Sequence, residues 1–411
     1  MAGLSRSLVS RRFLVALPIF MLAFACGGGG GGGTVPPAPP AIPGRTFGGS
    51  GSDFAWSAQQ TSDGGYAFAG FTNSSGAGGY DAWLVKTDSA GNLVRQRTIG
   101  TAGNDFAFSL QQTTDGGYIV AGVDNVVFGA LPTSGFWIPL DFSGELTLRK
   151  LNADFSTAWE TRVGGLPIGA PAFGFSMGYS VRQTIDGGYV VSGATGTGGG
   201  GGVPLLLLAD AAGNVTRTSF LAGELGTGVR QAVDTGFVVS TAGVGGNALT
   251  KVNFGGTQEW SRPLLGSGLA VGTAADGGFI VAGDNGSVNA GDVHVAKIDA
   301  VGNVSWERNF GSPGGDAGFS IRQNPDGSYI LAGAGSGGGF NHGFDMYLVR
   351  LDAFGAIAWE RHFGGTGDDV GRSVERTADG GYIVAGSTTS GGAGGLDAYL
   401  VKTDSNGVSQ W

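Results

Sequence analysis

Short apolar runs alternate with polar turns along most of this chain, and no stretch has the period of an amphipathic helix. In the clearest copy, residues 373–377 and 382–386 flank an Asp-Gly-Gly turn, and residues 397–402 form another apolar run. Asp-Gly and Gly-Gly tolerate the positive φ angles that tight hairpins need. The pattern predicts four short antiparallel strands, the last of them starting at Val408.

The same unit recurs along the chain at intervals of 42 to 71 residues. A repeat of this length is typical of a supersecondary unit that must stack on its neighbours, because a lone four-stranded sheet cannot bury both faces. We therefore predict an all-β fold, a seven-bladed β-propeller of four-stranded antiparallel blades. The turn of each copy starts at Asp63, Asp115, Asp186, Asp276, Asp326 and Asp379, with a divergent copy at Asp234.

The two ends of the repeat region complement each other. In residues 306–311 and 359–364 the fourth strand continues from Trp-Glu-Arg to Phe-Gly, whereas the chain stops at Trp411. Residues 45–48, Arg-Thr-Phe-Gly, supply the missing second half near the start. We expect the N- and C-terminal segments to share the last blade and close the ring, which would remove exposed sheet edges.

The first 44 residues differ in composition from the repeats. Three arginines precede the apolar residues 13–25, which are too few to span a bilayer but suit a signal peptide over residues 1–25. Residues 22–26 resemble a bacterial lipobox, which implies cleavage before Cys26 and a lipid anchor on it. Residues 26–44 are rich in Gly and Pro and are predicted to be a tether, and residues 45–411 the propeller. Export through the general or the twin-arginine route stays open.

The repeat itself resembles that of bacterial envelope propellers, many of which are lipoproteins. Residues 111–122 and 397–404 carry the resemblance, which extends over residues 45–411 and is weaker in the third and fourth copies. It implies a propeller in the cell envelope. This agrees with the lipid anchor on Cys26 that the lipobox implies, and Gly27 after that cysteine, where an inner-membrane lipoprotein would have Asp, favours the outer membrane. The resemblance implies no particular activity.

Composition and motifs exclude several kinds of chemistry. The net charge of −9 and the absence of a basic run argue against nucleic acid as a partner. The repeated aspartates allow two interpretations, as calcium ligands or as caps of turns, and the second is favoured because no calcium-loop motif is present. His294, His342 and His362 lack metal-ligand spacing and are predicted to be surface residues. The repeated tryptophans are predicted to pack. We predict no metal, cofactor or catalytic residue.

Departures from the repeat are the candidate binding sites, because function on repeat folds concentrates in variable loops. The largest is an insertion at residues 125–145; an expanded loop covers residues 166–177, and residues 340–342 form a third departure. These loops are expected to share one rim, where exposed aromatic side chains could bind sugars or proteins. A self-packed cover over the ring stays open as the alternative. The predicted rim residues are Phe128, Phe136, Trp137, Phe173, Phe175, Phe340 and His342.

These observations favour a binding or scaffold lipoprotein without catalytic activity, whose ligand is a protein or a glycan. Two alternatives remain at this stage. One is a propeller enzyme that acts on polysaccharides or depends on a quinone. The other is a structural adhesin that binds through many blades at once.

Overall fold

A computed structural model describes residues 42–128, 142–164, 174–197, 202–243, 247–286, 291–312, 314–336 and 343–411. Within these ranges the chain forms 28 β-strands and no helix. The described part accordingly contains no helical segment of a length and apolarity that could cross a bilayer. Apart from β1, which pairs at the far end of the chain, the strands follow one another in antiparallel groups, here called quartets.

The strand bounds are as follows. β1 is Arg45–Phe47. Quartet 1 contains β2 (Asp53–Gln60), β3 (Tyr66–Thr72), β4 (Asp81–Thr87) and β5 (Leu93–Ile99). Quartet 2 contains β6 (Asn104–Gln112), β7 (Tyr118–Phe128), β8 (Phe142–Leu151) and β9 (Thr157–Val163). Quartet 3 contains β10 (Gly174–Gln183), β11 (Tyr189–Thr197), β12 (Val203–Ala209) and β13 (Val215–Phe220). Quartet 4 contains β14 (Leu225–Gln231), β15 (Phe237–Ala242), β16 (Asn247–Val252) and β17 (Gln258–Leu264).

The remaining strands continue the same order. Quartet 5 contains β18 (Ser267–Thr273), β19 (Phe279–Asp284), β20 (Val293–Ile298) and β21 (Val304–Phe310). Quartet 6 contains β22 (Ala317–Gln323), β23 (Tyr329–Ser336), β24 (Phe344–Leu351) and β25 (Ile357–Phe363). Quartet 7 contains β26 (Asp369–Arg376), β27 (Tyr382–Thr388) and β28 (Asp397–Thr403), and β1 is its fourth strand.

Among the described strands the quartets form five separate four-stranded sheets and one sheet of eight strands. The larger sheet arises because quartets 2 and 3 are joined by a single parallel pair, Phe175 with Gly144. Strand β7 has 11 residues and β8 has 10, so the insertion predicted at residues 125–145 partly continues this hairpin as strand. The predicted four-stranded antiparallel unit is therefore confirmed.

The first strands of the quartets surround a central axis. They contact one another in a closed cycle, from β2 through β6, β10, β14, β18, β22 and β26 back to β2. Apolar side chains fill the space between neighbouring quartets; Phe68 and Val85 of quartet 1, for example, pack with Ile383 and Leu400 of quartet 7. Because each middle strand is covered on both faces, it carries the continuous apolar run seen in the sequence.

The first and last strands of the described part of the chain pair in one sheet. Strand β1 pairs antiparallel with β28, with Thr46 opposite Tyr399. Beyond β28, Ser409 forms an isolated bridge with Thr403, so both termini contribute to the outer edge of this sheet. Strand β1 is therefore the outermost strand of the sheet that β26, β27 and β28 form, which is where residues 45–48 are expected.

The repeated turn has one construction throughout. Gly64 has a φ of 83°, which is accessible to glycine without strain. Asp63 accepts hydrogen bonds from the Gly65 N–H at 3.0 Å and the Thr61 hydroxyl at 2.6 Å. The interpretation of these aspartates as caps of turns is thus confirmed here. The tryptophans also pack as predicted, each against an aromatic residue of the following quartet, as Trp159 does on Tyr189 with ring centres 5.6 Å apart.

Candidate functional site

Every first strand carries a β-bulge at the same place. In quartet 1 the register with β3 shifts between Ala55 and Ser57, so that Trp56 is the extra residue. A bulge bends its strand and re-aims one side chain. The chain allows it because Gly70 lies opposite; a β-carbon there would lie 1.8 Å from the Phe54 carbonyl oxygen. In six of the seven quartets a glycine at this position leaves room for the bulged first strand; in quartet 4 the position is Thr241, and it pairs with Gly226 of β14.

The bulged residues line the central channel. Among the described side chains they are mostly aromatic, and Trp56 meets Phe108 edge to face with ring centres 5.2 Å apart. Quartet 7 departs from the aromatic pattern with Arg372, whose guanidinium lies 5.0 Å from the Trp56 ring centre and 4.3 Å from that of Phe319. The channel thus has an aromatic layer that holds one cation between two rings.

Three more arginines form a second layer three residues further along the first strands. Arg182, Arg230 and Arg322 each donate from Nη1 to the carbonyl oxygen of the preceding residue, at 2.6, 2.8 and 2.8 Å. This shared side-chain conformation places the three guanidinium groups around one cavity. Arg322 also donates from Nη2 and Nε to Glu375 Oε1, at 2.6 and 2.9 Å.

Four arginines surround one cavity, and Glu375 forms an ion pair with one of them, Arg322, so positive charge is in excess here. Burial, and then the charge of Arg322, lower the pKa of Arg182 to about 10. Burial, followed by the charges of Arg182 and Arg322, lowers the pKa of Arg230 well below its usual value. Burial alone would raise the pKa of Glu375, but the arginines outweigh it and the pKa is lowered. The carboxylate is therefore ionised at neutral pH.

The cavity can accept an anion. Its volume of about 110 Å³ greatly exceeds the roughly 10–15 Å³ that one water molecule requires, so a group of several atoms fits. Within the described residues, Arg230 makes one side-chain hydrogen bond and leaves its other N–H donors available. Planar guanidinium groups bind carboxylate and phosphate oxygens in pairs of hydrogen bonds. A cluster of positive charge here contrasts with the net charge of −9 for the whole chain.

Most of the predicted rim lies outside the described residues. This applies to Phe136, Trp137, Phe173, Phe340, His342, to the side chain of Phe128, and to the predicted lipidation site Cys26. Phe175 is described, and it is only 4% exposed, packed with Phe106 and Met177 in an apolar cluster. Its ring is therefore part of the packed interior rather than an exposed rim.

The histidines need one correction. His294 was predicted to lie at the surface, but its side chain is buried, because β20 is a covered middle strand. Its Nδ1 lies 2.7 Å from Asn309 Oδ1, while its Nε2 is buried and has no hydrogen-bond partner among the described residues. His362 is exposed and stacks on Tyr347 at 4.7 Å between ring centres. No group of three metal-binding side chains occurs in the described ranges.

Sequence reasoning missed the arginine layer. The position immediately before the conserved-looking glutamine of the first strand holds Gln59 and Gln111 in the first two quartets but an arginine in quartets 3, 4 and 6. The change from glutamine to arginine is present in the sequence of the repeats. Its meaning depends on the bulge, because only the bulge shows which strand positions face the axis.

Comparisons with known proteins identify the fold alone. No family model matches the chain, and no curated protein matches it. Among solved structures, a streptogramin B lyase superimposes with a TM-score of 0.54 at 14% identity, covering 88% of this chain and 97% of its own. The WD40 β-propeller domain of Doa1 superimposes with a TM-score of 0.53 at 12% identity, covering 89% of this chain and 98% of its own. Kuenenia stuttgartiensis hydrazine synthase superimposes with a TM-score of 0.55 at 12% identity, covering 89% of this chain and 97% of its own.

The chain has a β-propeller fold. The structures named above are a lyase, a synthase and a WD40 domain, so the shared fold does not decide between catalysis and binding. The functional argument has to come from the channel of this propeller.

Proposed function

We propose that this protein is a non-catalytic binding propeller that holds an anionic group of its ligand in the central channel. The ring in this proposal has seven blades, one for each quartet, and is tethered to the bacterial envelope through a lipid on Cys26. The observation that carries the proposal is the convergence of Arg182, Arg230, Arg322 and Arg372 on one cavity. Retaining mutually repelling, partly desolvated cations is costly unless an anion compensates them.

The side chains around the cavity favour binding over catalysis. Among the described residues that line it, the polar ones are serine, threonine, tyrosine and arginine. Burial raises the pKa of the Tyr179 phenol further above its usual value, which makes it a poor proton donor or acceptor near neutral pH. The aromatic layer beside the arginines suits a ligand whose anionic group is attached to a flat or ring-shaped body, such as an acidic sugar.

The proposal is tested by titrating the full chain with sulfate, phosphate and glucuronate in a calorimeter, at low and moderate salt. We expect saturable binding of at least one anion, weakened by salt because the contact is between charges. Arg230→Met should lower the affinity by about tenfold or more, since a hydrogen bond to a charged group contributes about 1.5–3 kcal/mol. Arg308→Met is the matched control, because Arg308 is exposed on β21 and lies over Trp306.

Equal affinities for the wild type and Arg230→Met, or no binding of any of these anions, would contradict the channel as the site. A glycan or protein that binds equally well to Arg230→Met would favour the predicted rim of the three variable loops as its binding site instead. Turnover of a polysaccharide by the wild type would favour the enzymatic alternative instead.

A further inference from the structure

Six of the seven repeated turns share an ion pair. The aspartate that opens the turn is bound by a lysine or arginine from the third strand of its own quartet, with N–O distances between 2.5 and 2.9 Å. In quartet 1, Lys86 Nζ also donates to the carbonyl oxygen of Thr87 at 2.8 Å. The pairs are Asp63–Lys86, Asp115–Lys150, Asp234–Lys251, Asp276–Lys297, Asp326–Arg350 and Asp379–Lys402.

Quartet 3 lacks the cation. Leu208 occupies the strand position that corresponds to Lys86, next to Ala209. Asp186 still caps its turn, accepting hydrogen bonds from the Thr184 hydroxyl at 2.5 Å and the Gly188 N–H at 3.4 Å. Within the described part of the chain, no lysine, arginine or histidine pairs with Asp186.

The oxygen atoms that bind the lysine elsewhere remain in place. A β-carbon built on Gly65 of quartet 1 would lie 2.2 Å from the Thr87 carbonyl oxygen, 2.4 Å from Lys86 Nζ and 3.3 Å from Asp63 Oδ1. On the equivalent Gly188 it would lie 2.6 Å from the Ala209 carbonyl oxygen and 3.6 Å from Asp186 Oδ1. Quartet 3 therefore keeps the carbonyl and the carboxylate of the site, and lacks its nitrogen.

A second replacement opens space at the same junction. Where quartets 2, 4, 5, 6 and 7 have a tryptophan that packs on the next quartet, quartet 3 has Arg217, which donates a hydrogen bond to the carbonyl oxygen of Phe254. A cavity of about 300 Å³ lies here between quartets 3 and 4, and Arg217 is not part of its wall. Its lining includes Asp186, Tyr189, Leu208, Asp210, Thr216 and Phe254.

We propose that this cavity binds a primary alkylammonium group, whose nitrogen takes the place that the lysine nitrogen holds in the other quartets. The Asp186 carboxylate and the Ala209 carbonyl oxygen accept its hydrogen bonds, as the matching pair does for Lys86. The alkyl chain lies against the apolar faces of Leu208, Tyr189 and Phe254. The ammonium can belong to a free amine or to a lysine side chain of a partner protein.

The test uses amide NMR shifts of the full chain during titration with n-butylammonium chloride. Tetramethylammonium chloride serves as the reference, because it has charge but no N–H donor. We expect saturable shifts centred on Asp186, Gly188 and Ala209 with n-butylammonium only. Leu208→Lys should place a lysine nitrogen in the site, lower the affinity about tenfold or more, and raise the melting temperature.

Leu208→Met is the matched control, because it keeps the size of the side chain and introduces no charge. It should bind n-butylammonium as the wild type does. Asp186→Asn keeps the hydrogen-bond acceptor of the turn but removes the negative charge. This variant should abolish the binding of n-butylammonium. Absence of saturable shifts in the wild type, or equal affinity in Leu208→Lys, would overturn the proposal. Titration with Nα-acetyl-lysine methylamide then separates the sources: binding assigns the site to a lysine side chain, and exclusion assigns it to a free amine.

Discussion

The Gln60 side-chain oxygen accepts a hydrogen bond of 2.7 Å from the backbone N–H of Ala378, which is 318 residues further along the chain. This bond joins quartet 1 to the turn of quartet 7. In the same way the Gln112 side-chain oxygen accepts a hydrogen bond of 2.8 Å from the Ser62 N–H. Equivalent glutamines join three further pairs of neighbouring quartets. The closing junction is therefore built like the internal ones.

We expect Gln60→Ala and Gln112→Ala to lower the free energy of unfolding by a similar amount, about 1–2 kcal/mol each. Each variant loses this hydrogen bond and the one that the glutamine Nε2 donates to a glycine carbonyl oxygen of its own turn. Urea denaturation measures both. A much larger loss for Gln60→Ala would show that the closing junction carries more of the stability than an internal one. No loss for Gln60→Ala alone would show that the contact between the ends is not formed in solution.

Phe155 compensates for a tryptophan that is missing from the preceding quartet. It has a φ of 68°, where other quartets have glycine, and its ring is 1% exposed, packed edge to face on Tyr118 at 5.2 Å. The strand position that holds a tryptophan elsewhere is occupied by Arg95 in quartet 1. The left-handed backbone costs about 1–2 kcal/mol, whereas burial of a phenylalanine contributes about 3–5 kcal/mol.

Phe155→Gly should therefore destabilise the protein by about 2 kcal/mol, because the lost packing exceeds the relieved strain. The double variant Arg95→Trp/Phe155→Gly recreates the arrangement of the other quartets and should regain part of that loss. Thermal unfolding of the two variants checks this. A double variant no more stable than Phe155→Gly would contradict the assigned compensation.

Thr235 stands in the divergent turn at a position where the other turns have glycine. Its φ is 69°, which is unfavourable for a β-branched side chain. Thr235→Gly should raise the stability by about 1 kcal/mol, the strain relieved being partly offset by the greater freedom of glycine in the unfolded chain. Gly64→Thr is the reciprocal control: a β-carbon there meets no atom within 4 Å, so only backbone strain should lower its stability.

The sequence was sufficient for the repeated unit and for the pairing of the two ends, because both follow from local turn chemistry and from the alternation of apolar runs. Arg230 and Asp186 show why the sites were harder to predict. Arg230 faces the axis only because a bulge three residues earlier changes which side chains of β14 point inward. Asp186 looks like every other turn aspartate, and its difference is Leu208, a residue of a different strand that lies near it only after folding.

Two aspartates of the last sheet should give opposite dependences of stability on pH. Burial tends to raise the pKa of Asp379, but hydrogen bonds from Lys402 and Thr377 outweigh it and lower the pKa from 3.8 to about 2. The contribution of ionised Asp379 to stability is fully present above the pKa of the unfolded state, 3.8, and is lost as the pH falls toward 2. Burial, together with the charge of Asp345, raises the pKa of Asp369, so protonation of this group favours the folded state as the pH falls.

The difference in unfolding free energy between Asp379→Asn and the wild type should therefore shrink as the pH falls from about 4 to about 2, because the wild type loses the contribution that the variant lacks. For Asp369→Asn, the wild type should gain stability relative to the variant as the pH falls below about 7, until the pH reaches the pKa of an aspartate in the unfolded chain. Urea titrations at a series of pH values measure both slopes, and constant offsets from altered hydrogen bonds do not affect them. Slopes of the same sign for the two variants would contradict the assigned shifts.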